Sequence, residues 1–354
     1  MLTIEQHVWG MTPEGEAIVR YTMRNASGAE VHLSNYGATV LAAIVPDREG
    51  RMDDVVLGYK RPEDYFGDAP AMGKSVGRVA NRIADGRMTI EGVSYRLEIN
   101  NGRNHLHGGT KNFANRVWES RVETNRVVMS LLSEDGDQNY PGELQVEAIF
   151  DFDDDNRFEI TYLARTDRTT AVNLTNHVYF NLDGEASGSV LDHELQLNCS
   201  RVLEMNPFQI PTGAWLDVEG TPQDFRTFRR LGDGIDADFN HIRDCKGYDH
   251  PFPIDGWRPS ILGEVGALRS RQSGRTVRIF SSQPGVMIYT GNWLEGSPCS
   301  KSDRHYADHA GVAIECQNHP DAVNHPEFPS PLLHAGELYC QKIVYQFETE
   351  TNAL

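Results

Sequence analysis

Apolar residues in this chain recur two apart, in paired runs joined by short polar turns. Across 87–100 the pattern is carried by Met88, Ile90, Val93, Tyr95 and Leu97, with Glu91-Gly92 between the runs. Side chains two apart share one face of a strand, and a Gly-containing pair between two such runs closes a hairpin. The arrangement repeats at 117–122 and 127–132 around 123–126, and at 144–152 and 158–165 around Asp153-Asp154-Asp155-Asn156. Further strands are expected at 17–23, 30–33, 39–45, 170–176, 195–198, 276–281, 286–291, 311–316 and 341–347. Only 61–66 and 229–235 read as helices, each of roughly one to two turns. Hairpin after hairpin, with no helical stretches of about 10–15 residues between them, predicts an all-β fold. It should be a large antiparallel β-sandwich with a few short helices. No repeat or low-complexity linker divides residues 1–354, so they are read as one domain. Two long Gly- and Pro-bearing connections, 134–142 and 236–258, are expected to carry function.

Charge narrows the partners. With 33 Lys and Arg against 51 Asp and Glu, the net charge is −18. Such a chain repels phosphate backbones and anionic lipid, so nucleic acid and membrane surfaces are not expected. No run of about 18 apolar residues is present, and the first residues lack a secretory pattern. Five cysteines (Cys199, Cys245, Cys299, Cys316 and Cys340) are odd in number and widely spaced. They form no Cys-x-x-Cys pair, so a reduced, cytoplasmic setting without a disulfide framework is expected.

Three segments gather chemically competent side chains. The first is Gly77-Arg78-Val79-Ala80-Asn81-Arg82-Ile83 with Asn104-His105-Leu106-His107-Gly108-Gly109. In an extended chain His105 and His107 would share a face, a spacing that can hold zinc. No third or fourth ligand accompanies them, so no metal is expected, and the plain alternative is a hydrogen-bonded strand histidine. The two glycines permit close ligand approach and favour His107 facing a cleft. The second segment runs from Asn173 to Leu182. As a strand it would place Asn173, Thr175, His177 and Tyr179 on one face, either a binding surface or a solvated exterior. In the third, Glu315 ends the apolar run 311–314. A carboxylate there is either a desolvated general base or a strand-end partner for an Arg. Asn81 and Arg82 could clamp a hydroxylated ligand, or Arg82 could be an ordinary ion-pair partner. The same alternatives apply to Asp249, in Gly247-Tyr248-Asp249-His250 within the second long loop. No serine-nucleophile elbow, dinucleotide loop or phosphate-cradling loop is present.

Taken together, these segments resemble the aldose 1-epimerase (galactose mutarotase) family. The likeness is carried by Gly-Arg-Val-Ala-Asn-Arg-Ile at 77–83, Leu-His-Gly-Gly at 106–109 and Asn-Leu-Thr-Asn-His-Val-Tyr-Phe-Asn-Leu at 173–182. Gly-Tyr-Asp-His at 247–250, Gln-Pro-Gly-Val-Met-Ile-Tyr-Thr-Gly-Asn at 283–292 and Glu-Cys-Gln-Asn-His-Pro-Asp-Ala-Val-Asn at 315–324 follow in the family's order. The resemblance implies a galactose mutarotase-like supersandwich with an open sugar cleft. It implies that a free hexose such as galactose or glucose is the small-molecule partner, and that its α and β anomers interconvert without a cofactor. By resemblance, Glu315 is the base that deprotonates the C1 hydroxyl and His177 the acid that protonates the ring oxygen. His107, Asn81, Arg82 and Asp249 are then sugar-binding residues. Met287 stands where many members place a polar residue touching substrate, which leaves the preferred sugar open. Trp293 is a candidate stacking residue, with a core role as the alternative, and Tyr140 a candidate cleft wall. The alternatives are a hexose-6-phosphate 1-epimerase and a non-catalytic carbohydrate-binding sandwich. A monomer or homodimer is expected.

Overall fold

The computed structural model describes residues 2–350. Its largest sheet has nine strands in the spatial order Glu119–Glu123, Arg126–Ser133, Leu144–Phe152, Arg157–Thr166, Tyr339–Thr349, Arg275–Ser281, Gly263–Arg269, Glu194–Leu197, Arg229–Arg230. A second sheet joins Thr3–Met11, Ala17–Arg24, Glu30–Ser34, Thr39–Pro46 and Met52–Asp54 in sequence order. A third places Val312–Gln317 between Tyr179–Phe180 and Gly285–Tyr289, with Asp249–Pro253 beyond. Neighbouring strands within these sheets run antiparallel. The helices among the described residues are six 3-10 turns of three or four residues. The architecture is the expected β-sandwich.

Alternation explains how the layers meet. In Leu144–Phe152, Leu144, Val146, Ala148, Phe150 and Phe152 are buried, while Gln145 and its alternates face outward. The inner set joins Tyr21, Val31 and Val45 of the second sheet and Val286, Ile288, Val312 and Ile314 of the third in one core. Burying a side chain of this size contributes about 1.5–3 kcal/mol, so this shared core holds the three sheets together.

The 87–100 hairpin forms as read, with strands Arg87–Ile90 and Val93–Arg96. Glu91 and Gly92 both take positive φ, 50° and 80°, as a tight turn matched to strand twist requires. Elsewhere the reading needs correction. The 170–176 run is broken into Thr170–Ala171 and Thr175–Asn176, which pair with different partners. Residues 229–235 begin as a short strand and continue as the 3-10 turn Leu231–Gly234 rather than forming one helix. Asp249 is not in a loop but opens a strand paired with Gly285–Tyr289. Thr3–Met11, an edge strand, is largely exposed and has no apolar alternation, so its sequence carries no strand signal. Gly263–Arg269 carries two glycines, which weaken its strand signal.

Candidate active site

The third sheet divides its residues by alternation. Ile314 and Cys316 point into the core, and Glu315 between them points the other way. In the ladder, Glu315 lies opposite Met287, and Ala313 lies opposite both Tyr289 and Tyr179. Asp249 lies opposite Tyr289. Tyr179, Tyr289, Asp249 and Glu315 therefore floor a cleft of about 320 Å³. Its walls come from Ala69-Pro70, Asn81-Arg82, Asn101, Leu106-His107, His177 and Trp293.

His177 sits in the gap between two short strands, tied by its backbone on both sides. Its N–H donates to Lys74 O at 2.8 Å, and its carbonyl accepts from Gly73 N at 3.0 Å. Its Nε2 lies 3.4 Å from Glu315 Oε1. Glu315 Oε2 and His177 Nδ1 have no hydrogen-bond partner. Burial pushes the Glu315 carboxyl well above the usual carboxylate range; Asp249 adds to the rise and Arg82 opposes it. Burial also pulls the His177 imidazole down to about 4. Both shifts disfavour charge, so burial favours a neutral carboxyl beside a neutral imidazole. Moving the carboxyl proton across 3.4 Å gives a carboxylate and an imidazolium with no change in proton count.

The opposite wall depends on two left-handed residues. Asn81 has φ 62° and His107 φ 54°, a region that Asn tolerates better than most side chains. Asn81 N donates to His107 Nδ1 at 3.2 Å, and His107 N donates to Asn81 O at 3.0 Å. Because Nδ1 accepts, the neutral ring carries its proton on Nε2. Burial lowers the His107 pKa well below its ordinary value, with His177 and Arg82 adding to the effect, so the ring is a neutral donor. Gly108 lets this turn close, since a Cβ there would meet Gly77 O at 2.2 Å. Arg82 Nε donates to Asn101 Oδ1 at 3.2 Å, and its Nη1 lies 3.8 Å from Asp249 Oδ2.

All six side chains singled out as catalytic or binding candidates, Asn81, Arg82, His107, His177, Asp249 and Glu315, line this one cleft. Other readings fail. His105 does not share a face with His107, because the positive φ at His107 turns the chain. His105 is buried, with Nδ1 at 2.7 Å from Glu98 O and Nε2 at 2.8 Å from the Tyr140 hydroxyl. Tyr140 is thereby a core residue, not a cleft wall. Asn173 and Thr175 form no exterior: Thr175 donates to Cys316 O and Asn173 to Asn318 O, stitching the segment to the Glu315 strand. Met287 is buried and does not line the cleft; Tyr289, two residues on, does. Trp293 is 58% exposed at the mouth, with Lys246 Nζ 3.8 Å from its ring centroid, which rules out the core alternative.

Asn101 and Tyr289 were not found from the sequence. Period-two alternation from Glu315's ladder partner would have marked Tyr289, but that partner is known only from the register. Asn101 gave no signal beyond its nearness to His105. A wider hollow of about 750 Å³ lies over the outer faces of the largest sheet, lined by Gln145, Glu147, Arg165 and Leu338 among others. It contains no histidine and no buried acid–base pair, so it cannot do the same chemistry.

The chain is similar to known proteins over nearly its whole length. The family model described as Aldose 1-epimerase matches residues 19–346. The galactose mutarotase of Bos taurus is 39% identical over 349 residues, covering 98% of this chain and 99% of that one. The aldose 1-epimerase of Escherichia coli K12 is 38% identical over 345 residues, covering 96% and 98%. Among solved structures, an aldose epimerase homologue from C. elegans superposes with a TM-score of 0.85 at 32% identity, covering 93% of this chain and 98% of that one. A galactose 1-epimerase from Lactobacillus acidophilus also gives 0.85, at 26% identity over 99% of each chain.

Proposed function

The chain belongs to the aldose 1-epimerase family, and from that premise we propose that it interconverts the α and β anomers of a free aldose with Glu315 as base and His177 as acid. The observation that carries this reading is the 3.4 Å between Glu315 Oε1 and His177 Nε2 at the cleft floor. The C1 hydroxyl oxygen and the ring oxygen are bonded to the same carbon, so a base and an acid this close can serve both. Glycoside hydrolysis instead sets its two carboxyl groups about 5–5.5 Å or 6.5–9.5 Å apart, to flank the anomeric carbon or admit a water.

Each step follows from a proton exchanged between Glu315 and His177. In the carboxylate–imidazolium form, Glu315 takes the proton from the C1 hydroxyl. The C1–O1 bond becomes a carbonyl, the bond from C1 to the ring oxygen breaks, and its electron pair takes the proton from His177 Nε2. The aldehyde turns about the C1–C2 bond and presents its other face. The freed hydroxyl oxygen attacks C1 and returns its proton to His177, while Glu315 reprotonates O1. The neutral His107 ring, as a donor, and Asn81, Arg82 and Asp249 hold the sugar hydroxyls. A positioned acid and base each contribute about 10²–10⁴-fold, which suits a reaction that water already performs slowly.

The cleft favours an unphosphorylated sugar. Arg82 is the single Lys or Arg lining it, and that side chain faces Asp249. The five unpaired cysteines support a cytoplasmic setting, and no helix among the described residues is long and apolar enough to cross a membrane. Polarimetry tests the activity: freshly dissolved α-galactose or α-glucose should reach equilibrium rotation faster with the protein, with or without EDTA. An uncatalysed rate for every free aldose would refute this reading, and turnover of phosphorylated sugars alone would favour the hexose-6-phosphate alternative over a binding role.

A further inference from the structure

His177 is held from behind by a segment that is itself closed by an ion pair wholly out of water. Between residues 68 and 74 the chain turns back twice, with Ala71 N donating to Asp68 O at 3.2 Å and Lys74 N to Ala71 O at 3.0 Å. The Lys74 ammonium meets the Asp68 carboxylate, and both side chains are 0% exposed. The other carboxylate oxygen accepts from Met72 N at 2.8 Å. Lys74 Nζ also donates to Tyr65 O at 2.5 Å and Asn115 Oδ1 at 3.3 Å. The ammonium thus donates two hydrogen bonds to uncharged oxygens beside its ion-pair contact with Asp68.

The active site is built on this segment. It makes both backbone hydrogen bonds to His177, through Gly73 N and Lys74 O. Gly73 O accepts from Asn176 Nδ2 at 3.0 Å, and Pro70 O accepts from the Tyr179 hydroxyl at 3.0 Å. Ala69 and Pro70 form part of the cleft wall. A buried ion pair is a poor way to gain stability, since apolar side chains of equal volume often serve as well or better. Its particular property is direction: hydrogen bonds from a fixed ammonium admit one loop geometry, where apolar packing admits several.

We propose that the Asp68–Lys74 pair is a positioning device for the reaction, fixing the His177 backbone and the 69–70 cleft wall at the geometry that acid catalysis needs. The inference rests on His177 acting as the acid. Neither side chain lines the cleft, so both are positioning residues, acting through His177. Misplacing a catalytic group by about 1 Å can cost on the order of 10²-fold.

The test compares the double variant Asp68→Asn/Lys74→Met with Asp68→Asn/Lys74→Gln, which keeps neutral hydrogen-bonding groups, and with His177→Asn. The Asn/Met variant leaves Tyr65 O and Asn115 Oδ1 without the Lys74 donor and should melt somewhat lower, while at a temperature where it is folded kcat for α-galactose falls about 10–100-fold, more than KM rises. The His177 imidazole, followed by NMR, should titrate closer to an ordinary histidine as water reaches it. The Asn/Gln variant should recover part of kcat at a similar melting temperature. If the Asn/Met variant does not fold, the Asn/Gln variant decides by the same kcat and titration readouts. A folded variant of either kind with parental kcat and an unchanged His177 titration overturns the inference. His177→Asn separates the two ideas: full activity there removes the acid assignment itself, whereas its inactivity beside fully active pair variants removes only the positioning role.

Discussion

Replacing Glu315 with Gln should separate catalysis from stability. The carboxyl is 2% exposed, and Oε2 has no partner in the protein, leaving it available to a substrate hydroxyl. Gln is nearly isosteric, so packing against the 285–289 strand survives, but an amide cannot accept the C1 proton. Loss of one positioned base costs about 10²–10⁴ in rate, or about 2.7–5.4 kcal/mol of barrier at 1.36 kcal/mol per tenfold. Stability should move the other way. The folded pKa of Glu315 lies well above its unfolded value. Above the ordinary carboxylate range the native state therefore binds more protons than the unfolded one, and stability falls as pH rises. An amide does not titrate. The melting temperature of the Glu315→Gln variant relative to the parent should therefore rise from pH 5 to pH 8. Polarimetry on fresh α-galactose and thermal melts at the two pH values check both halves. More than about a tenth of the parental rate would contradict the expected loss of at least 10² and refute the base assignment. A relative melting temperature that falls across that range would refute the burial argument.

The cleft charges give opposite pH shifts. Asp249 raises the Glu315 pKa and Arg82 lowers it, so the limb of the kcat/KM profile set by Glu315 should move to lower pH in Asp249→Asn and to higher pH in Arg82→Leu; matching directions would contradict the electrostatic account. The two neighbouring histidines should differ in kind. His105→Phe should lower stability by about 1–3 kcal/mol, because Glu98 O and the Tyr140 hydroxyl lose their partner, with little change in kcat at a temperature where the protein is folded. His107→Ala should raise KM and lower kcat with the melting temperature nearly kept, and denaturant melts beside kinetics would expose a reversal. His177→Asn should remove at least about 10²-fold of the rate, read by the same rotation assay.

The alternation at 87–97 and 144–152 fixed strands, hairpin turns and the identity of the buried face, because side-chain direction in a strand follows from local backbone geometry. The resemblance-bearing motifs marked six cleft residues, from Asn81 to Glu315. What local geometry cannot contain is who pairs with whom. Tyr339–Thr349 lies between Arg157–Thr166 and Arg275–Ser281, and only such distant pairings bring residues 81, 107, 177, 249 and 315 to one cleft. The same holds for His105 and His107. They are indistinguishable by spacing, yet a single left-handed residue turns one toward Tyr140 and the other toward His177. Protonation, too, belongs to the tertiary structure: the sequence names a carboxyl and an imidazole, but only their burial 3.4 Å apart shifts both toward the uncharged form. Desolvation depends on everything packed around a group, and most of that packing comes from residues far away in the chain.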